Sequence, residues 1–128
     1  MKAYKLNQIK EKRILGRNVL NAGNDSKHLA LFWAGSALEV NVKAREVWVL
    51  VSCECKIFES YVTVFINGYK IMRFIPPVGK PSWICVARDL NTEKENLITI
   101  MKDTQPMPDD PMHSLFIHKL GLSDEGKF

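Results

Sequence analysis

The feature that most constrains this chain is an alternation of apolar and polar residues that recurs along most of its length. A two-residue period is typical of β-strands, and helical periods do not recur. The sharpest local signal is Asn67-Gly68, which lies between two alternating segments and suits the positive φ angles of a type I′ hairpin turn. The sequence predicts an all-β protein of about nine antiparallel strands: Lys12–Leu15, His28–Trp33, Ala37–Val42, Glu46–Cys55, Tyr61–Ile66, Tyr69–Ile75, Ser82–Arg88, Asn96–Lys102 and Ser114–Leu122.

Short antiparallel strands at this spacing predict a β-sandwich, in which alternate residues of two sheets form one core. A chain of 128 residues buries roughly two-thirds of its unfolded surface, which is enough for a single domain. We expect residues 1–11 to form an N-terminal arm and residues 12–122 to form the sandwich. Residues 123–128 turn polar and are expected to form a linker.

One predicted strand is apolar on both faces. Val47, Val49 and Val51 point to one side and Trp48 and Leu50 to the other. A two-layer sandwich leaves the outer face of each sheet to solvent, so the second face of this strand needs cover. Either a loop or the N-terminal arm supplies that cover, or a partner surface does.

The positive charge is concentrated at the N-terminus. Residues 1–17 contain six Lys or Arg and one Glu, a balance of +5, and the total of +4 leaves −1 for the rest of the chain. A nucleic-acid-binding protein needs a basic stripe on its folded surface, so we expect no nucleic-acid partner. The longest apolar run, residues 29–34, has six residues, whereas a membrane helix needs about 20. We therefore expect no membrane association and no export signal in this chain. The reduced thiols discussed next favour a cytoplasmic location, and secretion stays the alternative if a signal has been trimmed from a longer parent chain.

The cysteines and histidines do not form a recognisable ligand pattern. Cys53 and Cys55 stand at i and i+2, which in a regular strand places the thiols on one face about 7 Å apart. That is too far for an unstrained disulfide, so we expect reduced thiols, as for Cys85. His113 and His118 are five residues apart and fall on opposite faces of a strand. The sequence predicts no metal site and no cofactor.

No catalytic constellation is predicted. Gly23-Asn24-Asp25-Ser26 and the following His28 share residue types with the nucleophile and histidine motifs of SGNH-type hydrolases. Such a nucleophile needs a strand that leads through a turn into a helix, and its histidine comes from a distant part of the chain. Ser26 and His28 lie two residues apart in a polar turn. We expect no catalytic residue in this chain.

Four segments occur in an order that carries a resemblance. They are Ile14-Leu15-Gly16-Arg17, the turn Trp33-Ala34-Gly35-Ser36 with its following strand, the hairpin Tyr61–Gly68, and a late strand that ends at Lys102. Their combination resembles the N-terminal domain of carbohydrate esterase family 2, over about residues 9–122. The resemblance implies a jelly-roll β-sandwich, similar to galactose-binding domains, that precedes an SGNH (GDSL) esterase domain acting on acetylated plant-type polysaccharides. It also implies that the catalytic Ser and His lie beyond Phe128.

Two functions follow from this resemblance. The first is a non-catalytic accessory domain of a carbohydrate (acetyl) esterase or lipase, which packs on the SGNH domain of the same polypeptide and helps to form the substrate cleft. The second is a carbohydrate-binding module that holds polysaccharide through exposed aromatic side chains, since indole rings stack on sugars. The candidate interface or substrate residues are Arg17, Trp33, Ser36, Trp83 and Lys102. Arg17 could pair with a carboxylate either inside the sandwich or across to the catalytic domain.

Overall fold

The computed structural model describes residues 1–16, 29–56, 59–105, 110 and 113–128. Among these described residues, ten strands form two antiparallel sheets. They are β1 (Lys2–Lys5), β2 (Lys12–Leu15), β3 (Leu29–Leu31), β4 (Ala37–Val42), β5 (Val47–Glu54), β6 (Val62–Ile66), β7 (Tyr69–Phe74), β8 (Ser82–Ala87), β9 (Asn96–Lys102) and β10 (Ser114–Leu122). A 3-10 turn, Leu6–Gln8, connects β1 to β2. Within these residues, no helix is long and apolar enough to span a bilayer.

The predicted all-β sandwich is confirmed. Sheet A has the order β1-β10-β5-β8, and β3 pairs with β10 next to β1. Sheet B has the order β2-β4-β9-β6-β7. The strands β2, β4, β9 and β10 have the predicted bounds. The other predicted strands are shorter by one or two residues, except that His28 lies outside the described residues and β3 ends at Leu31, where the chain leaves the sheet to enter a turn.

The predicted hairpin is also present. Asn67 and Gly68 have φ angles of 52° and 85° and connect β6 to β7. Two successive positive φ angles are the requirement of a type I′ turn. The register shifts between Val64 and Phe65, which leaves Ile71 of β7 as an extra residue in a β-bulge. The strand β7 is therefore a bulged edge strand.

Both terminal segments return to the sandwich. Residues 2–5, expected within the N-terminal arm, form β1 and pair with the second half of β10. The Met1 ammonium lies 2.9 Å from an Asp124 carboxylate oxygen. Residues 123–128, expected as a linker, form a bridge between Lys127 and Lys43 and place Phe128 edge-to-face on Tyr4. The boundaries of the domain stay a prediction.

The core lies between the two sheets and consists of the inward-facing residues of each strand. The inward rows of sheet A include Val47, Val49 and Val51, and those of sheet B include Ile98 and Ile100, all of them inaccessible to solvent. On the outer face of sheet A, Trp48 and Leu50 stay half-buried. Part of their surroundings comes from the N-terminal segment, because the Met1 side chain lies over Gly121 beside Trp83.

Candidate functional site

The turn Trp33-Ala34-Gly35-Ser36 is fixed by hydrogen bonds to the end of β9. The Ser36 amide donates to the Trp33 carbonyl at 3.0 Å, and Gly35 has a φ of 86°, the angle that the third residue of a type II turn requires. The Gly35 amide donates to the Lys102 carbonyl, and the Lys102 amide donates to the Ser36 carbonyl, each at 2.9 Å. Three of the predicted site residues, Trp33, Ser36 and Lys102, are therefore neighbours.

Gly16 packs against the same turn. A Cβ atom at Gly16 would lie 2.8 Å from Ser36 Cα and 3.1 Å from the Gly35 carbonyl oxygen, and Gly16 has a φ of 87°. Only glycine meets both demands without strain. Three of the four segments that carry the family resemblance, those with Gly16, with the Trp33–Ser36 turn and with Lys102, thus come together through main-chain contacts. The predicted site residue Arg17 lies outside the described residues.

Polar side chains close one end of the core. We call the end of the sandwich where β5, β7 and β9 stop the loop end. Five inward-facing rows of side chains end there, each in a residue with a polar side chain that is at most 1% exposed. Each of these residues follows or precedes a buried apolar residue of its own row by two positions. We call this set the polar cap: Ser36, Cys53, Ser60, Lys102 and His113.

Lys102 places an amine inside the polar cap. Its side chain is 0% exposed, and its Nζ donates to the Thr104 carbonyl. Burial lowers the pKa of the Lys102 ammonium to about 8, because the charged form loses its hydration, while the neighbouring Cys53 acts in the opposite direction. The amine is therefore much less basic than that of an exposed lysine.

Cys53 lies on sheet A and interacts electrostatically with this amine. Its thiol donates to the Pro76 carbonyl at 3.4 Å. Burial, followed by the interaction with Cys55, raises the pKa of the Cys53 thiol to about 12, and Lys102 acts to lower it. Cys53 is consequently a neutral thiol at physiological pH.

His113 and Ser60 hold polar atoms without a partner in the described part of the chain. His113 Nε2 lies 3.2 Å from the Glu59 carbonyl oxygen. Because a carbonyl only accepts, Nε2 is the donor, and a neutral ring then has its lone pair on Nδ1. Both His113 Nδ1 and Ser60 Oγ are buried and have no hydrogen-bond partner among the described residues. The polar cap is thus incompletely satisfied.

Asp110 anchors the loop that leads to His113. It is 0% exposed, and its two carboxylate oxygens accept from the Lys56 amide at 2.9 and 3.1 Å. The His113 amide donates to the Asp110 carbonyl at 3.2 Å. The carboxylate therefore holds two loops of the loop end together.

The predicted site residue Trp83 does not join this cluster. It pairs with Leu50 on the outer face of sheet A, and its ring lies near Gly121. Ser26 and His28, which the sequence shows as a chance likeness to hydrolase motifs, lie outside the described residues. Within the described ranges, no three His, Cys, Asp or Glu side chains are grouped as metal ligands would be.

A second surface feature runs along β7 and the loop that follows it. Tyr69, Ile71, Ile75 and Val78 are 76%, 54%, 47% and 61% exposed, and we call them the apolar strip. Next to the strip, an open groove of about 490 Å³ separates the edge strands β7 and β8. Its lining is mainly apolar, with Ile66, Ile71, Met72, Val86 and Leu90 and with Cys85 and Arg88 at its side. Exposed apolar residues that recur along an edge strand and the loop after it make this side of the sandwich a candidate interaction surface.

The sequence analysis missed most of the polar cap. It singled out Ser36 and Lys102 through the family resemblance, but it assigned no role to Ser60. It treated Cys53 as a reduced thiol and His113 as an unsuitable metal ligand. The sequence did contain a signal, because each of these residues stands two positions from the end of an alternating row of buried apolar residues. Ser60, for example, stands two positions before Val62, which is followed by Val64. The apolar strip was missed because an exposed Ile or Val in a strand is indistinguishable by sequence from a buried one.

Most of the chain matches parts of larger enzymes in structure. An acetyl xylan esterase from the rumen bacterium Butyrivibrio proteoclasticus matches 99% of this chain with a TM-score of 0.84 and 24% identity. A family two carbohydrate esterase from Clostridium thermocellum matches 91% with a TM-score of 0.72 and 17% identity. This chain spans 33% and 32% of those two proteins. The predicted resemblance to family 2 carbohydrate esterases is confirmed for the jelly-roll fold.

Free-standing modules share the fold as well. A family 35 carbohydrate binding module from an environmental isolate has a TM-score of 0.68 and 11% identity, and the match covers 99% of this chain and 96% of the module. In sequence, the mouse (Mus musculus) ubiquitin conjugation factor E4 A is 27% identical over 96 residues, which are 66% of this chain and 9% of that protein. No family model matches the chain.

Proposed function

We propose that this chain is a non-catalytic accessory domain of a carbohydrate esterase, which packs on an SGNH-type catalytic domain and helps to form its substrate cleft. The observation that carries the proposal is the apolar strip, which extends from the β6–β7 hairpin to the loop end. The four side chains of the strip expose apolar surface that a second domain could cover. Burial of apolar surface stabilises a complex by about 25 cal/mol for each Å² removed from water.

The chemistry of the loop end supports an accessory role. Ser36 and Lys102 exchange main-chain hydrogen bonds across the turn, and the Lys102 amine bonds to the Thr104 carbonyl. Hydrolysis of an ester needs an exposed nucleophile, a base within hydrogen-bond reach and donors for the oxyanion. The buried side chains of the polar cap do not meet the first of these needs.

The proposed partner is a catalytic domain of the same polypeptide, and its substrate class is acetylated polysaccharide. In both of the esterases described above, about two-thirds of the length lies outside the part that this chain matches. An accessory domain in this arrangement would contribute contacts rather than reacting groups. The cytoplasmic location expected from the sequence belongs to the same proposal.

The first prediction concerns activity. The isolated chain should not hydrolyse p-nitrophenyl acetate above the buffer rate. When the chain replaces the structurally equivalent part of the Butyrivibrio esterase, the joined protein should have a lower KM for acetylated xylan than the remainder of that enzyme alone. Val78→Asp should raise this KM about tenfold, because a charge on the strip must be desolvated on docking. Steady-state kinetics measures both effects.

A matched control is Asn7→Asp, which adds the same charge at another exposed position and should leave KM unchanged. Equal effects of the two substitutions, or a joined protein no better than the remainder of the enzyme, would contradict the docking role. Turnover by the isolated chain would contradict the non-catalytic role.

The alternative function is a carbohydrate-binding module, and Tyr69 is the observation that favours it. Its ring is 76% exposed beside the hairpin turn, whereas Trp33, Trp48 and Trp83 are all half-buried. An accessory domain predicts no saturable heat of binding when the isolated chain is titrated with acetylated xylan or glucomannan. Saturable binding that weakens at least tenfold in Tyr69→Ala would instead support the binding module, since the stacking surface would be lost.

A further inference from the structure

A β-bulge in β10 turns two consecutive polar side chains to the outer face of sheet A. The register against β5 shifts between Ile117 and Lys119, which leaves His118 as the extra residue. Ile117 before the bulge and Leu120 after it are both inaccessible to solvent in the core, so the two residues between them face outward. The His118 ring bonds there to the Ser52 hydroxyl at 2.9 Å. Bulges that redirect a side chain are common next to functional sites.

The bulge places Lys119 directly opposite a second lysine. Lys5 of β1 pairs with Lys119 in the antiparallel ladder, and the next pair, Tyr4 and Leu120, packs on the core side. Lys5 and Lys119 therefore share the outer face, with their Cβ atoms about 5 Å apart, and like charges in this position repel each other. In the described part of the chain, the three ion pairs all involve other residues. The two ammonium groups are thus available to an anion.

The Trp83 ring lies beside this lysine pair. On the outer face Leu50 pairs with Lys119 on one side and with Trp83 on the other. A Cβ atom at Gly121 would lie 3.2 Å from Cζ3 of the Trp83 ring, so the ring extends from β8 towards β10. Gly121 stands two positions after Lys119 on the same strand, a separation of about 7 Å. The two ammonium groups therefore lie next to an apolar floor and an indole ring.

We propose that this surface, which we call the lysine patch (Lys5, Leu50, Trp83 and Lys119), binds an acidic sugar residue of a glycan chain. The sugar carboxylate accepts charge-assisted hydrogen bonds from the two ammonium groups. The apolar face of its ring packs on Leu50 and on the Trp83 indole. A neutral sugar would leave the two lysines to repel each other, and a small inorganic anion would leave the apolar floor in contact with water. An acidic sugar satisfies both parts of the patch.

The test is calorimetric titration of the intact chain with trigalacturonate in a buffer of low ionic strength. Saturable binding of one ligand per chain is expected, and added sodium chloride should weaken it because exposed charges are screened by salt. The fully methyl-esterified trisaccharide has the same rings without the charges and should bind about tenfold more weakly. Inorganic phosphate alone should also bind about tenfold more weakly, since it has no ring to pack on the indole.

Substitutions within the patch separate the two contacts. Lys5→Met and Lys119→Met each keep an apolar stem and remove one ammonium group, and each should raise the Kd for trigalacturonate about tenfold. Trp83→Leu keeps an apolar side chain but removes the indole, and it should raise the Kd severalfold. Lys94→Met removes the same charge at an exposed position in the loop between β8 and β9 and should leave the Kd unchanged.

Three results would overturn the proposal. They are the absence of saturable binding, equal affinity for the methyl ester or for inorganic phosphate, and an unchanged Kd in both lysine variants. The lysine patch lies on sheet A, whereas the apolar strip follows β7 of sheet B, so the inference does not depend on the docking role. Val78→Asp, which tests that role, should bind trigalacturonate as tightly as the unmodified chain.

Discussion

Gly16→Ala should lower the free energy of unfolding by about 2–4 kcal/mol, which is among the larger effects of a single substitution. A left-handed backbone costs a non-glycine residue about 1–2 kcal/mol. The remainder arises because the new Cβ would lie 2.8 Å from Ser36 Cα, so main chain has to shift. Such a shift would weaken the two bonds between the Trp33–Ser36 turn and Lys102. Urea denaturation at equilibrium measures the change.

Gly35→Ala is the matched control. Gly35 has almost the same φ, 86°, but a Cβ there meets nothing within 4 Å. We expect it to cost about 1 kcal/mol, which is the conformational part alone. Equal losses in the two variants would show that Gly16 does not hold the turn through close packing.

The second large effect is a rise in stability with pH from about 8 to 9. Below pH 8 the folded and unfolded chains both carry the Lys102 proton, and the cost of burying the ammonium is fully present. Between about 8 and the ordinary value of 10.5, the folded chain has lost a proton that the unfolded chain keeps, so stability increases. From pH 7 to 9 the gain should be about 1 kcal/mol, measured by urea denaturation in the presence of a reductant.

Cys53 has the opposite effect at higher pH. Its pKa is raised from 9.0 to about 12, so above pH 9 the unfolded chain releases a proton that the folded chain keeps, and stability falls. The two effects offset each other above pH 9, which makes pH 8 to 9 the informative window. Lys102→Met should abolish the rise, whereas Lys80→Met, at an exposed position near the same end, should retain it. If the free energy of unfolding of Lys102→Met still rose between pH 8 and 9, a group other than Lys102 would be responsible for the rise.

The all-β sandwich was predictable because each strand has one buried face, and that face leaves a period-2 pattern. The strand β9 shows this most clearly, since Asn96, Ile98, Ile100 and Lys102 alternate with half-buried residues along its full predicted length. The strand β1 was not predicted, because only Tyr4 of its four residues contributes to the core. Its position depends on pairing with β10, a contact between the two ends of the chain that local pattern does not encode.

The candidate site was predictable only in part for a related reason. The family resemblance singled out Trp33, Ser36 and Lys102 in two separate segments, and their proximity depends on the register of β4 against β9. Trp83 was grouped with them by residue type, and the fold places it on the outer face of the other sheet.

The ion pair between Met1 and Asp124 has a consequence for how the strands may be ordered along a chain. Because Met1 contacts Asp124 at 2.9 Å and the Phe128 ring lies 5.0 Å from that of Tyr4 between centroids, a short peptide could join the first and last residues and make the backbone circular without moving a sheet. New termini could then be opened at the exposed tip of the β6–β7 hairpin. A second domain fused to the new ends would then attach beside the β6–β7 hairpin instead of beside β1. The position of a fused domain would no longer be fixed by the strand order along the chain.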